Sequence, residues 1–144
     1  MKSTQKVTRV KLNVEQNNDY ILLGLVSTEP DYKLSLALNK KFGISLKTIP
    51  PVFLTGNKSP DLTFSRFSNN DRTSDLRFTL ISNRSGKSFL LDKLKNIDYL
   101  LQISDSEADL NLITTKLREI DAITAVFNIS FNTIKDKNLH YLIQ

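Results

Sequence analysis

Residues 91–131 read LDKLKNIDYLLQISDSEADLNLITTKLREIDAITAVFNISF, and the hydrophobic pattern changes twice along this stretch. Residues 97–103 alternate apolar and polar side chains, which is the two-residue period of a β-strand. Leu100 breaks this alternation, so we expect the second face of the strand to be partly covered as well. Residues 106–119 place apolar side chains on one helical stripe, and residues 123–131 alternate again. The stretch therefore predicts a strand, a helix and a second strand.

The predicted helix begins with a group of acidic side chains. Ser106 followed three residues later by Asp109 resembles a capping box. Asp105 and Glu107 add negative charge where a helix N-terminus stabilises it. Carboxylates this close also suit acid–base catalysis or binding of a divalent metal. Because the helix start already accounts for these residues, we assign them no catalytic role.

The last strand of the stretch has one apolar face and one mainly polar face. We expect the apolar face to be buried, and it comprises Ile123, Ala125, Phe127, Ile129 and Phe131. Val126 is the apolar exception on the other face. Two strands joined by a helix of this length can lie parallel in one sheet, and such a crossover is right-handed.

The composition indicates one globular domain. The chain has 144 residues, 40% hydrophobic and 24% charged, which predicts a single domain over residues 1–144 with loose ends at 1–6 and 136–144. The absence of cysteine excludes disulfides, thiolate metal ligands and a cysteine nucleophile. A single histidine, His140, excludes a histidine-built metal centre or a Ser-His-Asp triad within one chain. We therefore expect no metal and no cofactor.

Charge and hydropathy bear on partners and compartment. The formal net charge of +5 favours phosphate backbones through electrostatics that do not depend on sequence. The lysines and arginines are spread along the chain, so charge alone is weak evidence for nucleic acid. No apolar run is long enough to span a bilayer, and the first residues are polar. We expect a cytoplasmic protein without membrane association.

The remaining segments alternate between strand-like and helix-like patterns. Residues 20–26 are almost entirely apolar, and periodicity does not decide between a buried strand and the entry to a helix. Residues 28–42 predict a helix with Thr28 as its N-cap. Shorter apolar runs predict strands at 7–14, at 44–49 with Pro50 and Pro51 ending it, at 62–67 and at 76–80, followed by a polar turn at 82–88.

One short motif resembles part of a phosphate-binding loop. Gly86, Lys87 and Ser88 match the end of a P-loop. The full motif requires a glycine five residues before Gly86, and Ile81 stands there instead. The segment also connects two predicted strands rather than a strand and a helix. We interpret it as a turn.

Aromatic and basic side chains alternate along the strands predicted in the middle of the chain. The aromatic ones are Phe64, Phe67, Phe78, Phe89 and Tyr99. The basic residues among them are Arg66, Arg72, Arg77, Arg84 and Lys87. A sheet face with both types of side chain is how some domains stack single-stranded RNA. The glycine-aromatic run of RNA-recognition sheets is missing, and alternating aromatic residues are more often core. RNA binding, with Arg66, Arg77 and Lys87 as the basic contacts, is therefore an alternative prediction.

Residues 94–101, Leu-Lys-Asn-Ile-Asp-Tyr-Leu-Leu, carry a family-like pattern. Ile97, Asp98 and Tyr99 stand where the IPExxxVDY family of small bacterial proteins has Val-Asp-Tyr, so the chain resembles that family. Leu, Asp and Lys at 91–93 replace its Ile-Pro-Glu. Two further stretches are similar to the first helix and the tail of the family, residues 31–39 and 134–142. The family has no assigned activity, so the resemblance implies no site.

Two aspartates and two tyrosines form a predicted binding cluster. Asp98 and Tyr99 begin a strand, and Asp31 and Tyr32 begin a helix, so the four side chains can meet at one end of the sheet. A tyrosine there buries its ring while its hydroxyl finds a partner. We predict binding, and no catalysis, at these residues.

These patterns predict an α+β fold, a single domain with a mainly antiparallel sheet of five to seven strands and two main helices packed on one face. We interpret the chain as a non-enzymatic cytoplasmic interaction or adaptor protein that binds a protein partner or forms a homodimer. The open sheet face or an edge strand is the expected contact surface. RNA binding is the first alternative, and an enzyme with an unrecognised site is the second.

Overall fold

The computed structural model describes residues 20–54, 62–69, 77–104 and 108–130. These ranges contain strands, two α-helices and a short 3-10 turn at Asp92–Leu94. In chain order the strands and helices are β1 (Ile21–Val26), α1 (Asp31–Phe42), β2 (Lys47–Leu54), β3 (Leu62–Ser68), β4 (Phe78–Ser82), β5 (Arg84–Ser85), β6 (Ser88–Phe89), β7 (Tyr99–Ile103), α2 (Leu110–Arg118) and β8 (Ala125–Ile129).

Six strands form one antiparallel sheet in the order β2-β3-β4-β7-β1-β8. β2, β3, β4 and β7 pair in that order as an antiparallel meander, and the β5–β6 hairpin lies between β4 and β7 in the chain. β1, whose residues ILLGLV are all apolar, is antiparallel to both β7 and β8, so these two strands run parallel with β1 between them. The predicted strand, helix and strand are present as β7, α2 and β8. β1 lies between β7 and β8 in the sheet, which the sequence did not predict. The sheet and its two helices confirm the predicted α+β fold.

Both helices pack on the same face of the sheet. Alternate residues of β1, such as Leu23 and Leu25, point to this face and have no exposed surface. They belong to one apolar cluster with Leu34 and Leu38 of α1 and Leu117 of α2. Complete burial of a leucine side chain contributes about 2 kcal/mol to folding. The helix layer therefore stabilises the sheet through many such contacts.

The opposite face of the sheet carries a second apolar cluster. Leu22 and Leu100 project from this face, and the excursion between β4 and β7, residues 83–97, covers them with Leu90 and Leu91. Leu90 and Leu91 have no exposed surface. Leu100 is equally buried, so the expected cover on the second face of its strand is confirmed.

A buried asparagine holds this excursion in place. Asn83 has no exposed surface, and its side-chain nitrogen donates to the carbonyl oxygens of Leu94 and Ile97, both at 2.9 Å. Its side-chain oxygen accepts a hydrogen bond from the backbone N–H of Leu91 at 2.9 Å. Because a buried polar group without a partner is destabilising, these three bonds select one path for the excursion.

β2 continues through two prolines that we expected to end it. Its pairing with β3 shifts register between Ile49 and Val52, where Pro50 and Pro51 lie. Proline lacks a backbone N–H, so strands tolerate it at bulges and on sheet edges. Both conditions hold here, because β3 is the one described strand that pairs with β2. The prediction that these prolines end the strand is wrong.

β8 presents the opposite face from the one we expected. Its register pairs Leu25 with Val126, so Val126 joins the helix-side core and is 9% exposed. Ala125, Phe127 and Ile129 lie on the other face, where Phe127 is 45% exposed. Paired residues share a face of a sheet, and β1 already directs its leucines towards the helices. The pattern within β8 alone therefore predicted the wrong face.

Both helices begin later than predicted. α1 begins at Asp31 instead of after Thr28. α2 begins after Asp109, whose carboxylate accepts a hydrogen bond from the backbone N–H of Leu112 at 3.1 Å. The apolar residues 20–26, for which helix and strand were both open, contain β1.

Several predictions concern residues outside the described ranges, namely the strand at 7–14, the cap at Ser106, Phe131 and the loose ends 1–6 and 136–144.

Candidate functional site

Three chain segments meet at one end of the sheet and enclose a cleft of about 600 Å³. The turn between β1 and α1 contributes Ser27 and Glu29. The end of β4 contributes Ser82, and Asp98 and Tyr99 lie at the start of β7. The volume is within the range of small-molecule sites, and these lining residues bear polar groups.

Asp98 connects two of these segments. Its Oδ2 accepts a hydrogen bond from the backbone N–H of Ser27 at 2.9 Å, and its Oδ1 forms an ion pair with Nε of Arg84 at 2.6 Å. The Arg84 guanidinium also lies 5.1 Å from the centre of the Phe89 ring. Asp98 therefore joins the β1–α1 turn to the β5–β6 hairpin, and both of its oxygens are occupied.

The Tyr99 hydroxyl is a hydrogen-bond donor in the same cleft. It donates to the backbone carbonyl oxygen of Glu29 at 2.6 Å. Burial, followed by the negative charges of Asp31, Asp98 and Glu29, raises the pKa of Tyr99 from 10.0 to about 12. The phenol therefore stays protonated at neutral pH, which suits a structural donor better than a general base.

A second cleft, of about 400 Å³, shares Ser82 and Arg84 with the first. Asp31 from the first turn of α1 and Arg66 of β3 line it. The Nε of Arg66 donates to the carbonyl oxygen of Pro50 at 2.7 Å, so the irregular part of β2 positions this guanidinium. Ser82 and Arg84 thus border both clefts, and the two clefts together are called the groove below.

The structure separates the predicted binding residues. Asp98 and Tyr99 line the first cleft, and Asp31 and Arg66 line the second. The other three do not line either cleft. These are Tyr32, which is 57% exposed, Arg77, which precedes β4, and Lys87, which lies in the turn of the β5–β6 hairpin. Three of the four residues in the predicted cluster thus reach one end of the sheet.

Glu29 belongs to the groove although the sequence patterns do not select it, and Arg84 was selected only as one of the basic residues of the RNA alternative. Arg72 of the same set lies outside the described ranges. A mostly buried aspartate such as Asp98 requires a cation or several hydrogen-bond donors nearby. Because Asp98 stands at the start of a predicted strand, the sequence indicated that it would need such a partner. The sequence did not predict which cation it would be, because the β5–β6 hairpin brings Arg84 next to Asp98. Glu29 contributes its backbone carbonyl, which any residue at that position supplies.

The outer strands of the sheet form a second candidate surface. In the part of the chain that the structure describes, β2 and β8 each have a neighbour on one side. Each carries one exposed aromatic side chain, Phe53 on β2 at 51% and Phe127 on β8 at 45%. β2 also carries a lysine and two prolines, whereas residues 124–130 contain no charged residue and no proline.

The aromatic side chains that suggested an RNA-binding face are largely unavailable for stacking. Phe64 and Phe78 are at most 1% exposed, and Tyr99 is 7% exposed. Phe67 and Phe89 are half-buried. Three of the five aromatic residues therefore serve the core and do not form a platform for bases.

The Gly86-Lys87-Ser88 motif lies in the β5–β6 hairpin, as the sequence predicted. Gly86 takes a φ of 61°, in the left-handed region that glycine adopts without a steric penalty. No helix follows it directly, so the segment lacks the helix N-terminus that a P-loop uses to hold phosphate.

No protein-family model matches this chain, and no curated protein matches it. The resemblance to the IPExxxVDY family therefore stays a prediction. Neither α-helix in the described ranges has the length and apolar character needed to cross a membrane. Among those same residues, no three histidine, aspartate or glutamate side chains are grouped to hold a metal ion.

Proposed function

We propose that this chain is a non-enzymatic interaction protein that binds a second copy of itself through β8. The observation that carries the proposal is the chemistry of β8, a strand at the edge of the described sheet with no charge, no proline and an exposed aromatic residue, Phe127. Such an edge is a template for another strand, because its outward backbone N–H and C=O groups have no sheet partner among the described strands.

Self-pairing suits the sequence of this edge. In a two-fold symmetric antiparallel pair, β8 meets the same strand running in the opposite direction, and each residue contacts its equivalent or a near neighbour. Residues 124–130 are uncharged, so the pairing brings no like charges together although each copy carries a net charge of +5. Apolar side chains of Ala125, Phe127 and Ile129 would extend the second apolar cluster from one copy to the other.

The enzyme alternative has weaker support because Asp98 and Tyr99, which line the first cleft, are both engaged in contacts within the fold. Both carboxylate oxygens of Asp98 are engaged by Ser27 and Arg84. The Tyr99 proton is engaged by the Glu29 carbonyl, and its raised pKa keeps it in place. Groups held in this way fix the fold of the β1–α1 turn.

The RNA alternative is also weaker than self-association. Its stacking residues Phe64 and Phe78 are buried. Arg66 lines the second cleft, whereas Lys87 lies at the tip of the β5–β6 hairpin. Stacking of single-stranded RNA on a sheet requires exposed rings, which Phe64 and Phe78 do not provide.

Light scattering coupled to size-exclusion chromatography tests the proposal. One chain has a mass of 16.4 kDa, and we expect twice this value for the native protein over a concentration series. Phe127→Lys places a charge on each edge at the centre of the interface, so we expect the mass of one chain. Phe53→Lys changes an equally exposed aromatic residue on β2, and we expect it to remain dimeric.

Thermal melting of both variants separates loss of pairing from loss of folding. A native protein that has the mass of one chain throughout the series would refute self-association. Equal dissociation by the two lysine variants would refute the assignment to β8.

A further inference from the structure

The two layers that cover the sheet differ in charge. The excursion at residues 83–97 carries four basic residues and a single acidic one, Asp92. The helix layer, residues 29–42 and 109–121, carries five basic and five acidic residues. The helix layer is therefore neutral in sum, whereas the excursion has an excess of positive charge.

Most of the positive charge of the excursion is free. Lys87, Lys93 and Lys95 are exposed, and no salt bridge among the described residues includes them. Arg84 differs, because its Nε pairs with Asp98 at 2.6 Å. The three lysines are therefore the cations that an outside ligand would meet.

The fold of the excursion keeps these lysines close together. Lys87 lies in the turn of the β5–β6 hairpin, three residues and at most about 11 Å from Arg84. A terminal nitrogen of Arg84 donates to the carbonyl oxygen of Lys95 at 3.5 Å, which joins the hairpin to the segment after the 3-10 turn. Lys93 is two residues before Lys95, so the three lysines belong to one compact segment.

The hairpin turn has room for a phosphate group. Gly86 is exposed, and nothing stands within 4 Å of a Cβ atom added there. Ser85 and Ser88 place hydroxyls on either side of the turn that contains Lys87. Lysines, serine hydroxyls and backbone N–H groups are the donors that proteins commonly use to contact nucleic-acid phosphates.

The excursion has little apolar surface to offer a partner. The large apolar side chains that are exposed in the described ranges all lie outside it, namely Tyr32, Leu36, Phe53, Leu112 and Phe127. Protein interfaces and membrane-surface helices depend on such side chains. Phe89 is half-buried, and the Arg84 guanidinium lies over its ring at 5.1 Å, so stacking of an unpaired base is not favoured either.

We propose that the excursion binds the phosphate backbone of double-stranded DNA without reading its base sequence. Duplex DNA presents one negative charge per about 1.7 Å of its axis, and its bases are already stacked, so it needs neither apolar contacts nor exposed rings. Lys87, Lys93 and Lys95 contact phosphates, while Arg84 keeps the hairpin in place. The surface does not include β8, so this proposal and self-association succeed or fail separately.

Fluorescence anisotropy of a short labelled DNA duplex tests the proposal with the native protein. We expect weak binding that decreases as salt rises from about 50 to 200 mM, with a slope of about −2.7 in a plot of log affinity against log salt concentration for three phosphate contacts. One strand of the same duplex should bind more weakly, because its charge density is lower.

A matched pair of triple variants locates the contact. Lys87→Gln, Lys93→Gln and Lys95→Gln together should weaken duplex binding at least about tenfold and remove most of the salt dependence. Lys33→Gln, Lys40→Gln and Arg118→Gln together remove the same charge from exposed positions of the helix layer. This control should change the affinity by no more than about twofold, through the net charge alone.

The native protein alone can refute the proposal. Absence of duplex binding at the lowest salt concentration would refute it, and tighter binding of the single strand would overturn the choice of a duplex. Equal losses in the two triple variants would refute the assignment to the excursion. If thermal melting shows that the lysine triple variant is unfolded, the single variants decide, because each should lower the salt slope by about one.

Discussion

The two outer strands of this sheet expose similar side chains on different backbones. β2 carries Phe53 and β8 carries Phe127, and each ring is about half exposed. β2 limits pairing by other strands with Lys47, two prolines and a register shift, which are common protections of a sheet edge. β8 has none of these features. An exposed aromatic ring on an outer strand therefore does not identify an interface by itself. The backbone of that strand must also be able to form hydrogen bonds with another strand.

The two edges also differ in how they join the rest of the sheet. β8 pairs with β1, where Gly24 lies opposite Phe127. A Cβ atom added at Gly24 would lie 2.8 Å from the Cδ1 atoms of both Ile129 and Ile97, closer than such atoms approach. These side chains therefore occupy the space that a larger residue would need, so the absence of a side chain at Gly24 lets them pack over β1 beside β8.

Asn83→Ala tests the excursion at residues 83–97, which covers the sheet between its two outer strands. We expect this substitution to cause the largest loss of stability. The substitution removes two buried hydrogen bonds and one partly buried one, and leaves two carbonyls and one N–H without this partner. We expect the free energy of unfolding in a denaturant titration to fall by about 3 kcal/mol or more. Asn39→Ala, which removes one such bond to Leu46, should cost about 1 kcal/mol. Equal losses would contradict the role of Asn83.

Gly24→Val should affect the β8 edge and spare the β2 edge. The added side chain displaces Ile129 and Ile97, and overpacking of this kind costs about 2 kcal/mol. Hydrogen exchange should show reduced protection of β8 amides, with β2 and β3 much less affected. Gly86→Ala is the control, because its strain at φ 61° lies in the distant hairpin and nothing stands within 4 Å of the added atom. A uniform loss of protection would indicate that the edges are not separable.

The pH dependence of stability should depend on Tyr99, which lies between the edges on β7. The unfolded chain loses the phenol proton near pH 10.0, whereas the folded protein holds it until about pH 12. The stability from this group is therefore complete below pH 10 and is lost as the pH rises towards 12, by about 3 kcal/mol at most. Denaturant titrations between pH 9 and 11 should show this slope as the difference between the native protein and Tyr99→Phe. If the free energy of unfolding of the native protein and of Tyr99→Phe had the same pH dependence, the role of the Tyr99 hydroxyl as a buried donor would be refuted.

Removal of the protection from β2 should produce the smallest effect. In a Phe127→Lys background, Pro50→Thr with Pro51→Thr restores two backbone N–H groups to the outer strand. We expect weak dimerisation in sedimentation experiments, several-fold weaker than that of the native protein because Lys47 and the register shift remain. A parent Phe127→Lys variant that stays monomeric is the reference. No gain in mass would show that the prolines are not what limits pairing at this edge.

Local patterns were sufficient to predict the helices and the class of fold. α1 and α2 repeat apolar residues with the helical period, and the meander strands alternate, so their existence follows from their own residues. The buried face of β8 did not follow, because the register with β1 determines it and that register depends on residues far away in sequence. The two prolines in β2 were misread for the same reason, since an edge position is a property of the sheet.

The groove could be predicted in part. Asp31, Asp98 and Tyr99 begin elements that meet at one end of the sheet, which their sequence positions indicated. The choice of Arg84 as the partner of Asp98 depends on the β5–β6 hairpin, whose strands are two residues each and leave little pattern. Tyr32 follows Asp31 directly but points to another side of α1, because neighbouring residues on a helix are about 100° apart.

The central position of β1 has a consequence for synthesis of the chain. β1 is the first described strand to leave the ribosome, yet both of its partners, β7 and β8, are the last. The bond from the Ser27 N–H to Asp98 spans 71 residues, so the turn after β1 also waits for distant sequence. The six apolar residues ILLGLV therefore stay unpaired until most of the chain has emerged. Folding should be slow and largely post-translational, with the nascent chain at risk of aggregation in the interval.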